Sequence, residues 1–321
     1  MTVTRNDPNY KNRGRVIVTV GVVLLLGGIA VGLLGPLEMY CFYLFSAGGR
    51  FHYEGFGFGS FMFGNIASQI VGYYLLAALF IPLGYGHIKM RRWARTLSVT
   101  LLWSWLVVGA PLVVVVFFIL LASKDLSLPV ALSALIFLGL SYLVFPGLFI
   151  RFYQGLNVRR TFEIKDAGPC WLEGVPIPIL VLSSLYVFYI IMLHILILFN
   201  GIFPVFGVFV FGLQGILLLD FSIACLVSLL WGTLQLKLWA WWVSVIWLGL
   251  FTVSAVLTFF RYDYAAILAG LAFPSREMEF LGGIPIQGYH FSVLVGIPLV
   301  ITWVIAIRSK RYFRISAQIL G

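Results

Sequence analysis

The sequence predicts an all-α integral membrane protein with eight transmembrane helices, arranged as two parallel tandem four-helix repeats with both termini cytoplasmic. Three observations predict it. Apolar residues come in runs of about 20, the length that crosses a bilayer core as helix. Basic residues cluster on alternate loops. Three landmark motifs recur in the same order in each half.

Of the 321 residues, 62% are hydrophobic and 10% charged. Soluble domains carry about 25% charged residues, so this chain cannot cover itself with a polar surface. A spanning segment must satisfy its own backbone hydrogen bonds, which leaves helices or a closed barrel. The apolar runs show no period of two, which favours helices.

The eight segments, in order, are 16–37, 66–88, 96–121, 129–150, 177–199, 213–236, 240–260 and 291–307. The first follows a basic arm and resembles a signal peptide. It exceeds the length of an h-region and lacks a small-residue cleavage site, so it reads as an uncleaved helix. The third holds Pro111 and the fourth Pro146, where kinks are expected. Pro129 suits the first turn of the fourth, where its missing N–H costs nothing. The fifth follows a turn-rich stretch at 165–178, the expected boundary between halves 1–165 and 166–321.

Charge gives the sidedness. Arg5, Lys11, Arg13 and Arg15 precede the first helix. Lys89, Arg91, Arg92 and Arg95 follow the second, and Arg151, Arg159, Arg160 and Lys165 the fourth. Lys237 follows the sixth, and Arg308, Lys310, Arg311 and Arg314 close the chain. The other side holds only Arg50, Lys124, Arg261 and Arg276, a ratio of 17 to 4. The positive-inside rule then places both termini in the cytoplasm, which implies a multi-pass protein of the cell membrane. Trp93, Trp171, Trp239, Trp241 and Trp242 fall near the same boundary, where indoles prefer to sit. The net charge of +10 is accounted for by these loops and implies no nucleic-acid partner. Cys41, Cys170 and Cys225 fall in different compartments or depths, so no disulfide is expected.

The repeat rests on three matches. Residues 58–64 and 206–212 both fit F-G-x-F-x-F-G. Tyr85-Gly86, Arg91 and Trp93-Ala94 match Trp231-Gly232, Lys237 and Trp239-Ala240. Arg159 to Phe162 match Lys310 to Phe313. An even helix number per unit gives both copies one orientation, with a pseudo-two-fold axis along the membrane normal expected. The Phe-Gly segments are expected to be interfacial helix starts rather than a pigment site, with glycine allowing close packing. Each half carries one long outer loop, 38–65 in the first and 261–290 in the second. Within the second, 265–273 is apolar but too short to span.

Ionisable groups inside a bilayer are costly, so each is a candidate for function. His194 lies near the outer end of the fifth helix and Asp220 near the outer start of the sixth. A hydrogen bond between them would lower the cost of burying both. With His290, at the outer start of the eighth helix, they could handle protons or ligate metal or haem. The plainer expectation is a structural His194–Asp220 pair, and no resident cofactor or metal. His52 and His87 sit at helix ends or in loops, where solvation is expected. No nucleotide, hydrolase or zinc-protease motif is present.

These readings favour a structural or accessory subunit of a membrane assembly, contacting lipid and membrane-protein partners through Phe-rich faces. A small-solute or lipid transporter and an outer-face membrane enzyme are the alternatives.

Overall fold

A computed structural model describes residues 10–122, 127–168 and 170–313. Arg5, Lys124 and Arg314 of the charge count lie outside them. Among the described residues, eight helices are long and apolar enough to cross a bilayer. They are α1 (Gly14–Phe45), α2 (Phe61–Ile88), α3 (Arg92–Ala122), the span α4–α5 (Leu128–Gly139 and Phe145–Gln154), α8 (Ile177–Leu198), α9 (Gly212–Leu234), α10 (Leu238–Arg261) and α13 (Gly288–Arg308). Short helices α6 (Leu156–Lys165) and α7 (Trp171–Gly174) lie between α5 and α8. The pair α11 (Tyr264–Leu271) and α12 (Ser275–Gly282) fills the connection between α10 and α13. The three cysteines are free.

The first two spans pack closest. Gly14, Gly21, Gly28 and Gly35, spaced by seven, are all buried in α1. A seven-residue period of small residues keeps one seam facing a neighbouring helix, and lets backbones approach. A Cβ on Gly21 would stand 2.7 Å from the His87 Cβ and 2.8 Å from the Ile88 nitrogen of α2.

Pro146 does not kink a regular helix. A π-turn over Leu140–Val144 precedes it, and the Phe145 N–H reaches back to the Leu140 carbonyl. Widening the turn in this way accommodates a proline that can donate no bond. Pro129 sits in the first turn of α4, as expected.

The α2–α3 and α9–α10 joints are built alike. Gly86 and Gly232 each lie 2.7 Å, measured from an added Cβ, from the ring of Trp93 or Trp239. Arg91 N–H donates to the Gly86 carbonyl at 2.7 Å, and Lys237 N–H to that of Gly232 at 3.0 Å. Met90 and Leu236 both adopt left-handed φ, at 49° and 55°. Ala94 and Ala240 are completely buried.

The Phe-Gly segments, by contrast, fold differently. The first ends in helix, with Ser60 Oγ capping the Phe63 N–H. The second is a β-hairpin, with β1 (Phe203–Val205) antiparallel to β2 (Val208–Val210). This corrects the expected helix start. Phe206 and Gly207 form the turn with φ of 39° and 93°, the left-handed pair a tight hairpin requires. Their N–H groups donate to Ser254 Oγ and Thr258 Oγ1 of α10.

Helix α3 packs on α8 and α13, and α2 touches α8. Val107 of α3 meets Val181 and Leu185 there. This is not the like-with-like contact that a two-fold axis would give. Ser104 and Val107 are buried in α3. Their counterparts by the joint alignment, Leu250 and Val253, are 54% and 49% exposed on α10.

Candidate functional site

One carboxylate ties α12 to the first turn of α2. Glu277 of α12 is buried. It accepts from the Phe61 N–H at 2.7 Å and the Met62 N–H at 3.0 Å, 216 and 215 residues away in sequence. The first turn of a helix has no internal acceptor for these donors, and its positive dipole end favours a carboxylate. Burial and then the Glu277 charge push the Tyr53 phenol above its usual range, with Arg276 opposing. Around this clamp, Phe61 and Phe199 pack on Leu268, Phe273 and Leu281. The Phe199 ring lies over Gly64, 2.6 Å from where a Cβ would stand. The apolar stretch 265–273 thus packs as a cap over Phe61 and Phe199.

Beside the clamp is an open cleft of about 320 Å3, lined by Gly55, Ser60, Asn200, Leu271 and Pro274 among others. No ionisable side chain lines it. It can hold a small polar molecule or water, but brings no acid or base to bear.

The three residues singled out from sequence do not converge. His194 is exposed on the outside of α8, and its Nδ1–H donates to the Ile190 carbonyl at 2.7 Å. Asp220 is exposed on α9 and makes no hydrogen bond or ion pair among the described residues. The expected His194–Asp220 bond is absent within the chain, although α8 and α9 do pack together. His290 is 3% exposed and takes part in capping its own helix, its Nδ1 accepting from the Gln287 N–H at 2.9 Å. Its Nε2 is buried with no partner among the described residues. Two outward-facing groups and one buried ring do not form the facing bis-histidine pair that a haem would need. Among the described residues, no three His, Cys, Asp or Glu side chains converge as a metal site would require.

Sequence reasoning missed His87. Far from being solvated, it is completely buried. Its Nδ1–H donates to the Leu83 carbonyl at 2.7 Å, and its Nε2 accepts from the Tyr153 O–H at 2.7 Å. Ser98 Oγ lies 3.4 Å from the same nitrogen. Every polar atom of the ring is satisfied and none is accessible, so the node braces α2, α3 and α5 rather than reacting. The signal in the sequence is the joint alignment. It sets His87 opposite Thr233 and Ser98 opposite Ser244, all four of them buried. In the second half Tyr186 O–H donates to Ser244 Oγ at 2.7 Å.

What remains chemically unanswered is the outer surface of α9. Gln214, Asp220, Ala224 and Ser228 are exposed along it, interspersed with exposed Leu213, Leu217, Phe221, Val227 and Trp231. Small and polar residues are typical of contacts between membrane helices, not of lipid-facing surface. The exposed stripe of α10, with Ile246, Leu250, Val253 and Leu257, is wholly apolar by comparison. A carboxylate well inside a span costs about 2.5–3.5 kcal/mol on insertion scales, and such groups almost always face a partner or a water-filled cavity.

Fold and site together define a multi-pass helical membrane protein. No protein-family model matches this chain, and no curated protein or solved structure matches it significantly.

Proposed function

We propose that this chain is a subunit of an assembly in the cell membrane, with no catalytic role of its own, and that its α9 face is where the assembly is made. The observation that carries the reading is Asp220, exposed on a spanning helix without a partner among the described residues. A single chain in lipid leaves that group unanswered, whereas a neighbouring polypeptide can answer it. Exposed Phe137, Phe145 and Phe221 add aromatic surface for such contacts. The test is composition after purification in mild detergent. The reading expects a particle larger than one chain, with its components in fixed ratio. A monodisperse single chain, stabilised by a transported solute, would overturn it in favour of a transporter.

The same proposal takes the halves 1–165 and 166–321 as tandem copies of one four-helix unit. The matched joints at Gly86 and Gly232 support this, as do the buried Phe162 and Phe313 at equivalent places. The copies share an orientation but meet head to tail, third helix against first and fourth. Both termini face the cytoplasm in this reading. A membrane-impermeant thiol reagent on intact cells is then expected to label Cys41 and to spare Cys170 until the cells are opened. Labelling of Cys170 first would reverse the orientation.

A further inference from the structure

We propose that the occupant of the α9 face is a second copy of this chain, in a two-fold dimer with its axis along the membrane normal, and that His194 of each copy hydrogen-bonds Asp220 of the other. This rests on the reading of the chain as an assembly subunit, and it names the partner.

Complementarity argues for it first. The His194 Nδ1–H is engaged by the Ile190 carbonyl, which leaves the Nε2 lone pair facing outward. Asp220 offers a carboxyl group on the neighbouring helix. One proton between Nε2 and the carboxyl completes a hydrogen bond, on whichever group it rests. In a two-fold interface each contact occurs twice, once in each direction. One dimer therefore answers both groups of both copies. A partner presenting lysine or arginine would answer Asp220 and leave the His194 lone pair bare.

Depth argues for it second. A Cβ on Gly201 would touch Ile216, and one on Gly215 would touch Gly201, so the outer end of α8 sits level with residues 215–216 of α9. His194 lies four residues inward from Leu198, and Asp220 four residues inward from Ile216. At a 1.5 Å rise per residue both sit about 6 Å below that level. A rotation about the membrane normal preserves depth, so the two groups can meet between copies.

Surface shape argues for it third. Ala224, Cys225 and Ser228 leave a shallow groove of about 230 Å3 against Trp239 and Val243, further along the same helix. Small residues there let a second α9 approach closely.

The experiment uses the full-length chain in liposomes at high lipid dilution, with pairing read by energy transfer between labelled copies. Wild-type chains are expected to pair. Asp220→Ala and His194→Ala, both at exposed positions, should each weaken pairing by about tenfold or more. They should leave unchanged the thermal unfolding of the single chain, measured in a detergent that separates the copies. Mixing the two variants is decisive. A mixed dimer keeps one reciprocal bond, so pairing should exceed that of either variant alone. Equal pairing in the mixture and the single variants would overturn the inter-copy bond, as would wild-type chains that stay monomeric. A different protein in fixed ratio, lost on Asp220→Ala, would overturn the second copy and leave the assembly reading standing.

Discussion

Replacing Gly21 with leucine is expected to force the first two spans apart and to lower the thermal unfolding midpoint in detergent. A Cβ there meets the Ile88 backbone nitrogen at 2.8 Å and the Gly84 carbonyl oxygen at 2.9 Å, and neither can rotate out of the way. Overpacking of a rigid contact costs about 1–3 kcal/mol, and backbone on both sides puts this case at the upper end. His87 would also move, since its Cβ lies 2.7 Å from the same point and its imidazole is held at both nitrogens. Gly27 is the control. It lies on the same helix with nothing within 4 Å of an added Cβ. Gly27→Leu should therefore stay within about 0.5 kcal/mol of the parent. Equal losses at the two positions would rule out the α1–α2 contact as the cause, and helix propensity cannot supply them, because leucine is the better helix former.

Removing the Glu277 carboxylate should open the outer cap. Glu277→Ala strands the N–H groups of Phe61 and Met62, both now accepted at 3.0 Å or less. An abandoned buried donor costs about 1–3 kcal/mol, and loss of a charge at a helix N-terminus adds about 0.3–1 kcal/mol. Glu277→Gln keeps one acceptor oxygen and should lose less. Glu279→Gln alters an exposed neighbour on the same helix and should be close to neutral. Protease nicking of residues 46–60 from the outside, read beside thermal unfolding, separates local opening from global loss. Parental resistance to nicking in Glu277→Ala would rule out the clamp.

The spans were legible because crossing a bilayer depends on the length and apolarity of a segment, which composition alone supplies. Their ends were less so. Helix α1 runs on past Glu38 to Phe45, where Phe42 packs edge-on against Phe56 and Phe63. Helix α2 starts at Phe61, earlier than its apolar run suggests, because Ser60 and the distant Glu277 supply its cap. No local pattern reports a partner 216 residues away. The two Phe-Gly segments show how far context overrides a motif. In the second, Val205 and Val208 flank the turn, and Ser254 and Thr258 hold its amides. For His194 and Asp220, counting residues gives a position along each helix but no direction around it. Leu219 and Leu226 turn inward on α9, and that packing rotates Asp220 to the outside. The glycine period of α1 was in plain view in the sequence. It becomes meaningful only when Gly84 and His87 are found opposite it.

The Glu277 clamp also imposes an order of events during synthesis. Chains emerge N-terminus first, so α1 and α2 are inserted and paired long before residue 277 exists. Until then the amides of Phe61 and Met62 have no carboxylate to accept them, and Phe61 has no Phe273 to pack against. The cap therefore closes only on a chain that has been translated past residue 277. A chain cut short before residue 277 cannot form this contact, so the first turn of α2 stays uncapped by a carboxylate in any such fragment.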